Sequence, residues 1–302
     1  MPDETLLKSG FVAVVGRPNA GKSTLVNALV GSKVSIVTPV PQTTRNRILG
    51  IVNRPDAQII LMDTPGIHKP FSRLNEQMMA FVRQALAERD LAVLIVDASE
   101  KFGRGDEFAV DFLRQYAPRT ILALNKIDVI HKPSLLPLIE RYSKSYEFEE
   151  IIPISALKGN GVAELLDAAV QRLPEGPRYF PEEIYTDQPE RFLASEIVRE
   201  KIIGHTRQEL PYVTAVLIES FEEGESLTRI HAVIVVEKES QKPIVIGAGG
   251  QRLKQIGTEA RADLEKLFPP KVFLELYVKV EPHWRDDRGL IAQLDYRGDS
   301  RT

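Results

Sequence analysis

The eight residues that directly follow the first apolar run of the chain have the residue types and spacing of a phosphate-binding loop. The segment GRPNAGKS, residues 16–23, matches G-x-x-x-x-G-K-[ST] and leads into a helical pattern. Its glycines let backbone N–H groups turn towards a phosphate, Lys22 can bind the β- and γ-phosphates, and the Ser23 hydroxyl can bind Mg²⁺. A glycine turn without a ligand is the alternative, and the agreement of strand, spacing and helix disfavours it. The predicted nucleotide-binding residues here are Gly16, Asn19, Ala20, Gly21, Lys22, Ser23 and Thr24.

A stretch without acidic residues surrounds this loop. The chain carries a net charge of −3, yet from Thr5 to Pro55 it contains no Asp or Glu. Basic residues are present throughout the same stretch, so a polyanion would be attracted to it. They are Lys8, Arg17, Lys22, Lys33, Arg45, Arg47 and Arg54.

A second candidate site begins where another apolar run ends, at Asp63-Thr-Pro-Gly66. A carboxylate at a strand end can hold a metal ion through water, and Gly66 can approach a γ-phosphate because it has no side chain. Asp-x-Pro-Gly also forms ordinary turns, but its position after the phosphate loop favours a functional role for Asp63 and Gly66.

A third stretch, Asn125-Lys-Ile-Asp128, can select the base. The Asp128 carboxylate can accept hydrogen bonds from N1–H and N2–H₂ of guanine, whereas adenine would leave it unpaired. Asn125 would brace the loop and Lys126 would lie over the base. After the fifth apolar run, Ser155-Ala156-Leu157 offers the Ala156 N–H to guanine O6.

The elements that must position these residues alternate between apolar strands and amphipathic helices. The strands start near Phe11, Ile59, Leu91, Thr120 and Glu150, which predicts an α/β domain with a mostly parallel sheet covered on both faces. A proline-rich, aperiodic stretch from Leu173 to Pro189 predicts a linker. After it, helical and strand patterns in the order α-β-β-α-β predict a second, α+β domain. The predicted domains are residues 1–173 and 190–302, with the linker at 174–189.

The length and composition of the chain limit the classes of protein to which it can belong. A chain of 302 residues with 43% hydrophobic and 27% charged residues fits two folded domains. The absence of cysteine excludes thiol nucleophiles, disulfides and thiolate metal sites. No apolar run approaches the roughly 20 residues that span a bilayer, and the start lacks a signal-peptide pattern. A cytoplasmic protein is therefore predicted.

A glycine turn in the second domain resembles the KH signature I-G-x-x-G, in which the turn approaches the backbone of single-stranded RNA. The domain has 17 Lys and Arg against 19 Asp and Glu, but between Ser240 and Ala262 Glu259 is the only acid. A turn that binds nothing is the alternative. Phe221, Tyr277 and Trp284 are candidates for base stacking, although such residues more often belong to the core. The predicted RNA-binding residues are Ile246, Gly247, Ala248, Gly249, Gly250, Arg252 and Lys254.

The nucleotide stretches, in this order, resemble translation-factor-like GTPases. Together with PQTTRNR at residues 41–47 and the KH signature, the chain from about Ser9 to about Asp287 is similar to the Era family. The resemblance implies an α/β P-loop GTPase domain followed by a type II KH domain, with GTP or GDP and Mg²⁺ as ligands. It places Thr43 and Thr44 in a first switch, where one of them closes on Mg²⁺. We take Ser23, Thr44 and Asp63 as the metal-binding set and Lys22, Thr44 and Gly66 as the catalytic set.

The resemblance also implies a function. Its members are GTP-hydrolysing switches that bind the 3′ end of 16S rRNA and act in assembly of the 30S ribosomal subunit. It further implies peripheral contact with the inner membrane, although the sequence shows no amphipathic basic helix that would explain such contact. A monomer is also expected. Two alternatives stay open: a constitutive single-stranded RNA-binding protein in which the nucleotide is mainly structural, and a metabolic phosphotransferase built on the same loop, against which Asp128 and the KH domain argue.

The residue after Gly66 departs from the better-known small GTPases, which place there a glutamine that orients the attacking water. Here it is Ile67, which cannot hydrogen-bond water, as is usual in the Era family, so slow hydrolysis is expected. The missing group could come from a partner, or K⁺ could be held near Asn19, which matches the cation-holding asparagine of potassium-dependent relatives. Asn19 as a loop residue that hydrogen-bonds its own backbone is the alternative. A second departure is Gly249, where the KH turn of this family often has lysine.

Overall fold

The computed structural model describes residues 7–116, 119–268 and 271–295. The chain forms two compact units. The first comprises residues up to Pro70 and Asn75–Asp187, and the second comprises Phe71–Leu74 and the residues from Gln188 onward. No helix in the described residues combines the length and apolarity needed to cross a membrane.

The first unit alternates strands and helices along the chain. Its described strands are β1 (Leu7–Val15), β2 (Ile48–Asn53), β3 (Ala57–Asp63), β4 (Leu91–Asp97), β5 (Thr120–Asn125), β6 (Glu150–Pro153) and β7 (Glu175–Gly176). Its helices are α1 (Lys22–Val30), α2 (Arg73–Glu88), α3 (Arg104–Tyr116), α4 (Leu135–Ser145) and α5 (Val162–Arg172).

These strands form one sheet in the order β2-β3-β1-β4-β5-β6, and β7 pairs with β1. All the pairings from β3 to β6 are parallel, whereas β2 runs antiparallel to β3. Because parallel strands end at the same edge, the loops after β1, β3, β4, β5 and β6 lie together.

The apolar runs form strands because they are covered on both sides of the sheet. All seven residues of β3 and all six of β5 are buried, as the continuous apolar pattern predicts. Leu94 and Met62 from the strands pack with Val82 of α2 and Leu113 of α3 in the main core. The predicted α/β class of the first domain is confirmed.

The edge strand β2 was not among the strands expected from sequence. It contains Gly50, which favours a break in a strand pattern, but the glycine has a packing role here. A Cβ at Gly50 would lie 2.7 Å from Val30 and 3.0 Å from Val26 of α1. The glycine therefore lets the helix pack closely on this strand.

The proline-rich segment expected to be a linker is held against the sheet of the first unit over most of its length. The buried Gln58 side chain accepts hydrogen bonds from the N–H groups of Tyr179 (2.6 Å) and Phe180 (3.0 Å). The Ile51 N–H donates to the Tyr185 carbonyl at 2.9 Å. We call residues 175–187 the strap. Its irregular sequence lacks periodicity because specific side-chain hydrogen bonds, rather than a buried face, hold it.

The second unit has an α+β fold. Its described elements are α6 (Glu190–His205), α7 (Leu210–Val213), β8 (Ala215–Glu222), β9 (Thr228–Val236), α8 (Lys242–Ile246), α9 (Gln251–Leu264), β10 (Val272–Val280) and α10 (Arg288–Gln293). The three-stranded sheet has the order β10-β9-β8, with β10 parallel and β8 antiparallel to β9. Three short helices, α7, α8 and α10, were not expected. Tyr212 lies in α7 rather than in a strand, because Pro211 starts a helical turn, and α8 precedes the glycine turn.

Candidate functional site

A cavity of about 480 Å³ opens where the parallel strands of the first unit end. Its volume lies within the range of small-ligand sites, roughly 300–1,000 Å³. Its lining comes from the phosphate loop, residues 36–44, Gly66, the loop after β5 and Leu157. The predicted nucleotide stretches therefore converge on one cavity. Five of the predicted residues support its wall without lining it: Gly16, Ala20, Asp63, Ser155 and Ala156.

The phosphate loop takes its shape from glycines that no other residue could replace. Gly16 has φ 155°, and a Cβ there would lie 2.2 Å from the Ile95 carbonyl oxygen. Gly21 has φ 102°, and its Cβ would lie 2.2 Å from the Asn125 side chain. Gly21 directly precedes α1 and provides no side-chain cap, so the first N–H groups of this helix have no side-chain acceptor from it.

Lys22 is buried at the base of this loop. Its ammonium donates hydrogen bonds to the carbonyl oxygens of Gly16 (3.3 Å) and Arg17 (2.9 Å). Burial lowers the pKa of Lys22 from its usual 10.5 to about 8, and the charge of Asp63 partly opposes this shift. A phosphate chain in the cavity would supply the negative charge that the buried ammonium lacks.

Asp63 provides a buried carboxylate with no group to neutralise it fully. Neither of its carboxylate oxygens accepts a hydrogen bond of ordinary geometry. Burial raises the pKa of Asp63, and the hydroxyls of Ser23 and Ser35 and the ammonium of Lys22 lower it only in part. An orphaned buried carboxylate beside hydroxyls fits a hard divalent cation that keeps several waters. The described residues hold no cluster of three His, Asp or Glu that would bind a metal without such help.

The two threonines of the candidate switch have different partners. The Thr44 hydroxyl lies 2.9 Å from the Ser23 hydroxyl, beside Asp63. The Thr43 hydroxyl instead lies 2.6 Å from that of Thr38 and donates to the Val40 carbonyl at 2.7 Å. In this structure Thr44, and not Thr43, adjoins Ser23.

Gly66 brings the backbone of the second candidate stretch against the phosphate loop. A Cβ at Gly66 would lie 2.6 Å from the Pro18 nitrogen, so only glycine permits this approach. The next residue, Ile67, donates its N–H to the Gly16 carbonyl at 2.9 Å. Its side chain is 3% exposed and belongs to the main core. Ile67 is therefore directed away from a bound phosphate as well as unable to bind water.

The predicted base loop is braced by Asn125. The Asn125 amide donates to the Ala20 carbonyl at 2.8 Å, which ties this loop to the phosphate loop. The Ser155 hydroxyl donates to the Asp128 carboxylate at 2.6 Å and orients it. Lys126 adopts a left-handed backbone conformation with φ 67°, and its side chain lines the cavity.

The Ala156 N–H is engaged differently from the sequence-based expectation. It donates to the Asn125 side-chain oxygen at 2.9 Å rather than standing open for guanine O6. Its role in base recognition stays a prediction.

Several lining residues were missed from the sequence. Ile36, Val37, Pro39, Gln42 and Val129 line the cavity. The four apolar residues carry no motif, and in a loop they give no signal of a ligand. Gln42 lies in the PQTTRNR segment, from which only the threonines are candidate site residues. The Asn19 amide donates to the Pro39 carbonyl at 2.9 Å, so it links the phosphate loop to this segment rather than to its own backbone.

The glycine turn of the second unit joins α8 to α9. Gly247 has φ 77° and ψ 172°, and a Cβ there would lie 2.7 Å from Arg252. Gly249 and Gly250 have φ 55° and 78°, and a Cβ at either position would meet no described atom within 4 Å. The turn therefore exposes bare backbone at its tip, which lets a large ligand approach closely.

The basic and aromatic candidates of the second unit differ in whether their side chains are exposed or engaged by other residues. Lys254 is exposed, and the Arg252 guanidinium donates to the Ile244 carbonyl. Tyr277 is 61% exposed, whereas Trp284 is fully buried and donates its indole N–H to the Val213 carbonyl at 2.7 Å. Phe221 packs edge-on against Phe268 at 5.6 Å between ring centroids. Of the three stacking candidates, Tyr277 is the most exposed, and the Lys242 ammonium lies 5.6 Å from the centroid of its ring.

Comparison with known proteins gives the family. Residues 11–126 match the family described as 50S ribosome-binding GTPase, and residues 209–285 match the KH domain. The chain is 46% identical to GTPase Era of Staphylococcus haemolyticus (strain JCSC1435) over 290 residues, which cover 96% of this chain and 97% of that protein. The chain belongs to the Era family of GTPases.

Solved Era structures agree with this assignment. A crystal structure of Era in complex with MgGDPNP and nucleotides 1506–1542 of 16S ribosomal RNA has a TM-score of 0.91 and 44% identity, covering 96% of this chain and 99% of that one. A variant of Aquifex aeolicus Era bound to GDP·AlF₄⁻ has the same TM-score, 43% identity and the same coverage. The predicted Era resemblance, the P-loop GTPase domain, the KH domain and the GTPase activity are confirmed.

Proposed function

We propose that this Era-family GTPase is a switch that binds the 3′ end of 16S rRNA through its KH unit and acts in assembly of the 30S subunit. The observation that carries the proposal is the convergence of the phosphate loop, Gly66 and the base loop on one cavity. The other unit of the same chain has a KH turn with bare backbone at its tip. The related Era crystallised with GTP analogue and 16S rRNA nucleotides supports the RNA partner.

Divalent metal would bind beside the phosphate loop. We assign the Ser23 and Thr44 hydroxyls and the Asp63 carboxylate, directly or through water, to Mg²⁺, which would neutralise charge on the β- and γ-phosphates. Thr44 is chosen over Thr43 because its hydroxyl lies 2.9 Å from that of Ser23. The catalytic assignments are Lys22, Thr44 and Gly66: charge from Lys22, metal contact from Thr44 and a close backbone approach from Gly66.

Guanine would be selected by Asp128. Its carboxylate, oriented by Ser155 at 2.6 Å, would accept from N1–H and N2–H₂ of the base. An adenine nucleotide would leave that carboxylate without donors, which costs several factors of ten in affinity.

The water-activating group lies outside position 67, because Ile67 is buried in the core. One route is a group from a partner, and the other is K⁺ held near Asn19. The potassium route predicts faster turnover in K⁺ than in Na⁺ at equal ionic strength, and a reduced difference in Asn19→Ala. Equal rates in the two salts would exclude it and leave the partner route.

RNA would approach the turn at residues 247–250, where no side chain covers the backbone tip. Because Gly249 replaces the lysine often found in this family, Arg252 and Lys254 would supply the charge for the RNA phosphates. Ile246 and Ala248 flank the same approach.

The test is binding of a labelled single strand that matches the pyrimidine-rich 3′ end of 16S rRNA. The full chain is loaded first with a non-hydrolysable GTP analogue and then with GDP. Tighter binding in the triphosphate state is expected for a switch. Equal affinity in both states would support constitutive RNA binding instead, and no binding in either state would overturn the proposed binding of this RNA by the KH unit.

A matched pair of variants separates RNA contact at the KH turn from a nonspecific effect of added charge. Gly249→Lys adds a cation at the turn and should tighten binding by about threefold at low salt. Gly31→Lys is the control, because Gly31 also has a left-handed backbone (φ 76°) and open space at its Cβ. Equal strengthening by both variants would show a nonspecific charge effect.

A cytoplasmic location, a monomeric state and peripheral contact with the inner membrane stay predictions. Sedimentation velocity tests the monomer. Co-flotation with vesicles that contain anionic lipid tests the membrane contact, and recovery of all protein in the unbound fraction would argue against it.

A further inference from the structure

Asp97, at the carboxyl end of β4, is outside every motif considered so far, yet it contacts the base loop. Its carboxylate lies 2.5 Å from the Lys126 ammonium. Its other oxygen accepts hydrogen bonds from the Ser99 N–H at 2.9 Å and from the Ser99 hydroxyl. Both carboxylate oxygens therefore have fixed partners, and the side chain is 13% exposed.

The sheet brings Asp97 to this position. Asp97 pairs with Asn125 across the parallel strands β4 and β5, and the Ala98 N–H donates to the Asn125 carbonyl at 2.8 Å. The loop after β4 is thus joined to the base loop by backbone as well as by the ion pair. Burial raises the pKa of Asp97, but the hydrogen bonds from Lys126 and Ser99 outweigh it, so the pKa lies below its usual value.

Lys126 needs such a partner for two reasons. Its backbone is in the left-handed region at φ 67°, which is unfavourable for a residue with a side chain. Its long side chain lines the cavity while remaining 37% exposed, so without an anchor it would sample many rotamers. The ion pair with Asp97 fixes the ammonium end of this side chain.

We propose that Asp97 is a positioning residue for the guanine base: its carboxylate holds the Lys126 ammonium so that the apolar stem of Lys126 forms one face of the base site. This inference rests on the proposed guanine site. Asp97 acts on stacking, through Lys126, whereas Asp128 reads the hydrogen-bonding edge of the base. The two aspartates therefore contribute separately to nucleotide binding.

The experiment measures affinities of the full chain for GDP and for inosine diphosphate, which lacks the N2 amino group. Asp97→Asn keeps an oxygen for Ser99 but removes the charge that holds Lys126. It should weaken both nucleotides by about tenfold and leave their ratio unchanged. Asp128→Ala should change the ratio. In GTP turnover, Asp97→Asn should raise KM and leave kcat unchanged, because the base is remote from the reacting phosphate.

Two controls separate positioning from loss of structure. Asp111→Asn removes a surface aspartate that pairs with Arg114 within α3 and should leave both affinities unchanged. Ser99→Ala removes a hydroxyl contact of Asp97 without touching Lys126 and should have less than a twofold effect. A loss with Ser99→Ala as large as that with Asp97→Asn would assign the effect to the loop and overturn the proposal.

A double-mutant cycle with Lys126→Met gives the decisive comparison, since methionine keeps an apolar stem without the ammonium. Asp97→Asn should have no further effect in the Lys126→Met background. Equal losses in both backgrounds would overturn the inference, as would unchanged GDP affinity of Asp97→Asn. If the unaltered chain fails to bind GDP, the proposed nucleotide site itself is wrong, which is a distinct result.

Discussion

Lys22 has two sets of acceptors, one internal and one supplied by a ligand. Its ammonium donates hydrogen bonds to the carbonyl oxygens of Gly16 and Arg17, and burial lowers its pKa to about 8. Contact with phosphate favours the charged form, so nucleotide binding must raise this pKa again. Binding and protonation of Lys22 are therefore linked.

Nucleotide affinity should consequently fall as the pH rises above about 8. Below that pH, Lys22 is already charged and binding takes up no proton. Above it, the free protein must gain a proton to bind, so the Kd for GDP should rise by up to about tenfold per pH unit. Calorimetry in buffers of different ionisation enthalpy would measure an uptake that approaches one proton per GDP.

The exposed Lys33 provides the control for this titration. Lys33→Met should keep the same pH profile, because its ammonium is not buried among the phosphate-loop carbonyls. A flat profile between about pH 7 and 9 in the unaltered chain would contradict the linkage to Lys22.

At the residue scale, side chains that bind a ligand can be predicted from the sequence more readily than side chains that contact other parts of the protein. The positions of Lys22, Asp63 and Asp128 follow from spacing, because each must face the same nucleotide. The contact from Asp97 to Lys126 joins two strands that are neighbours only in the folded sheet, so no local pattern reports it. The burial of Ile67 also depends on the packed core.

At the scale of structural elements, the strap shows how side-chain hydrogen bonds can hold an irregular segment against a sheet. Gln58 is fully buried and bonds the strap backbone at Tyr179 and Phe180. Its amide also donates to the Phe180 carbonyl at 2.8 Å. Removing that side chain leaves buried N–H groups without acceptors.

Gln58→Ala should therefore destabilise the first unit by about 2–4 kcal/mol. Chemical denaturation followed by far-ultraviolet circular dichroism would measure the change. Gln84→Ala is the matched control: Gln84 is exposed on α2 and bonds Glu88 within the same helix, so a change within about 0.5 kcal/mol is expected. Similar losses in both variants would contradict a specific role for the strap contact.

Strands could be predicted where burial on both faces of the sheet requires a continuous run of apolar residues. Elements without such a run, or too short to show a period, could not. The strands β1, β3, β4, β5 and β6 were expected because their apolar runs are covered on both faces. The edge strand β2 was missed because Gly50 interrupts its apolar pattern, and the reason for the glycine, close packing of α1 on the strand, is visible only in the fold. The short helices α7, α8 and α10 were missed because each has too few residues to show a helical period.

The whole molecule combines two ligand chemistries in separate compact units. A polyanion with a guanine base fits the first unit, whereas single-stranded RNA backbone fits the KH turn of the second. The nucleotide and the RNA should each protect their own unit first, because a ligand stabilises the folded state it binds.

Hydrogen exchange measures this partition over the whole chain. GDP with Mg²⁺ should slow exchange in α1 and in the base loop, and the rRNA strand should slow exchange in α8 and α9. If the GTP analogue alone also alters exchange in α8 and α9, the nucleotide state reaches the KH unit. Protection of the second unit by GDP but not by RNA would contradict the assignment of the two ligands.

The mixed character of the cavity wall also matters for inhibitor design. Its phosphate end is made of backbone groups that many nucleotide-binding proteins share. A compound that binds only there would therefore also bind those other proteins. The lining also includes Val37, Val129 and Leu157, which are 44%, 65% and 74% exposed. We call these three residues the apolar rim. A compound that covers this rim would gain affinity from apolar surface that a phosphate mimic leaves in water. Its selectivity would then come from side chains that no phosphate-loop motif specifies.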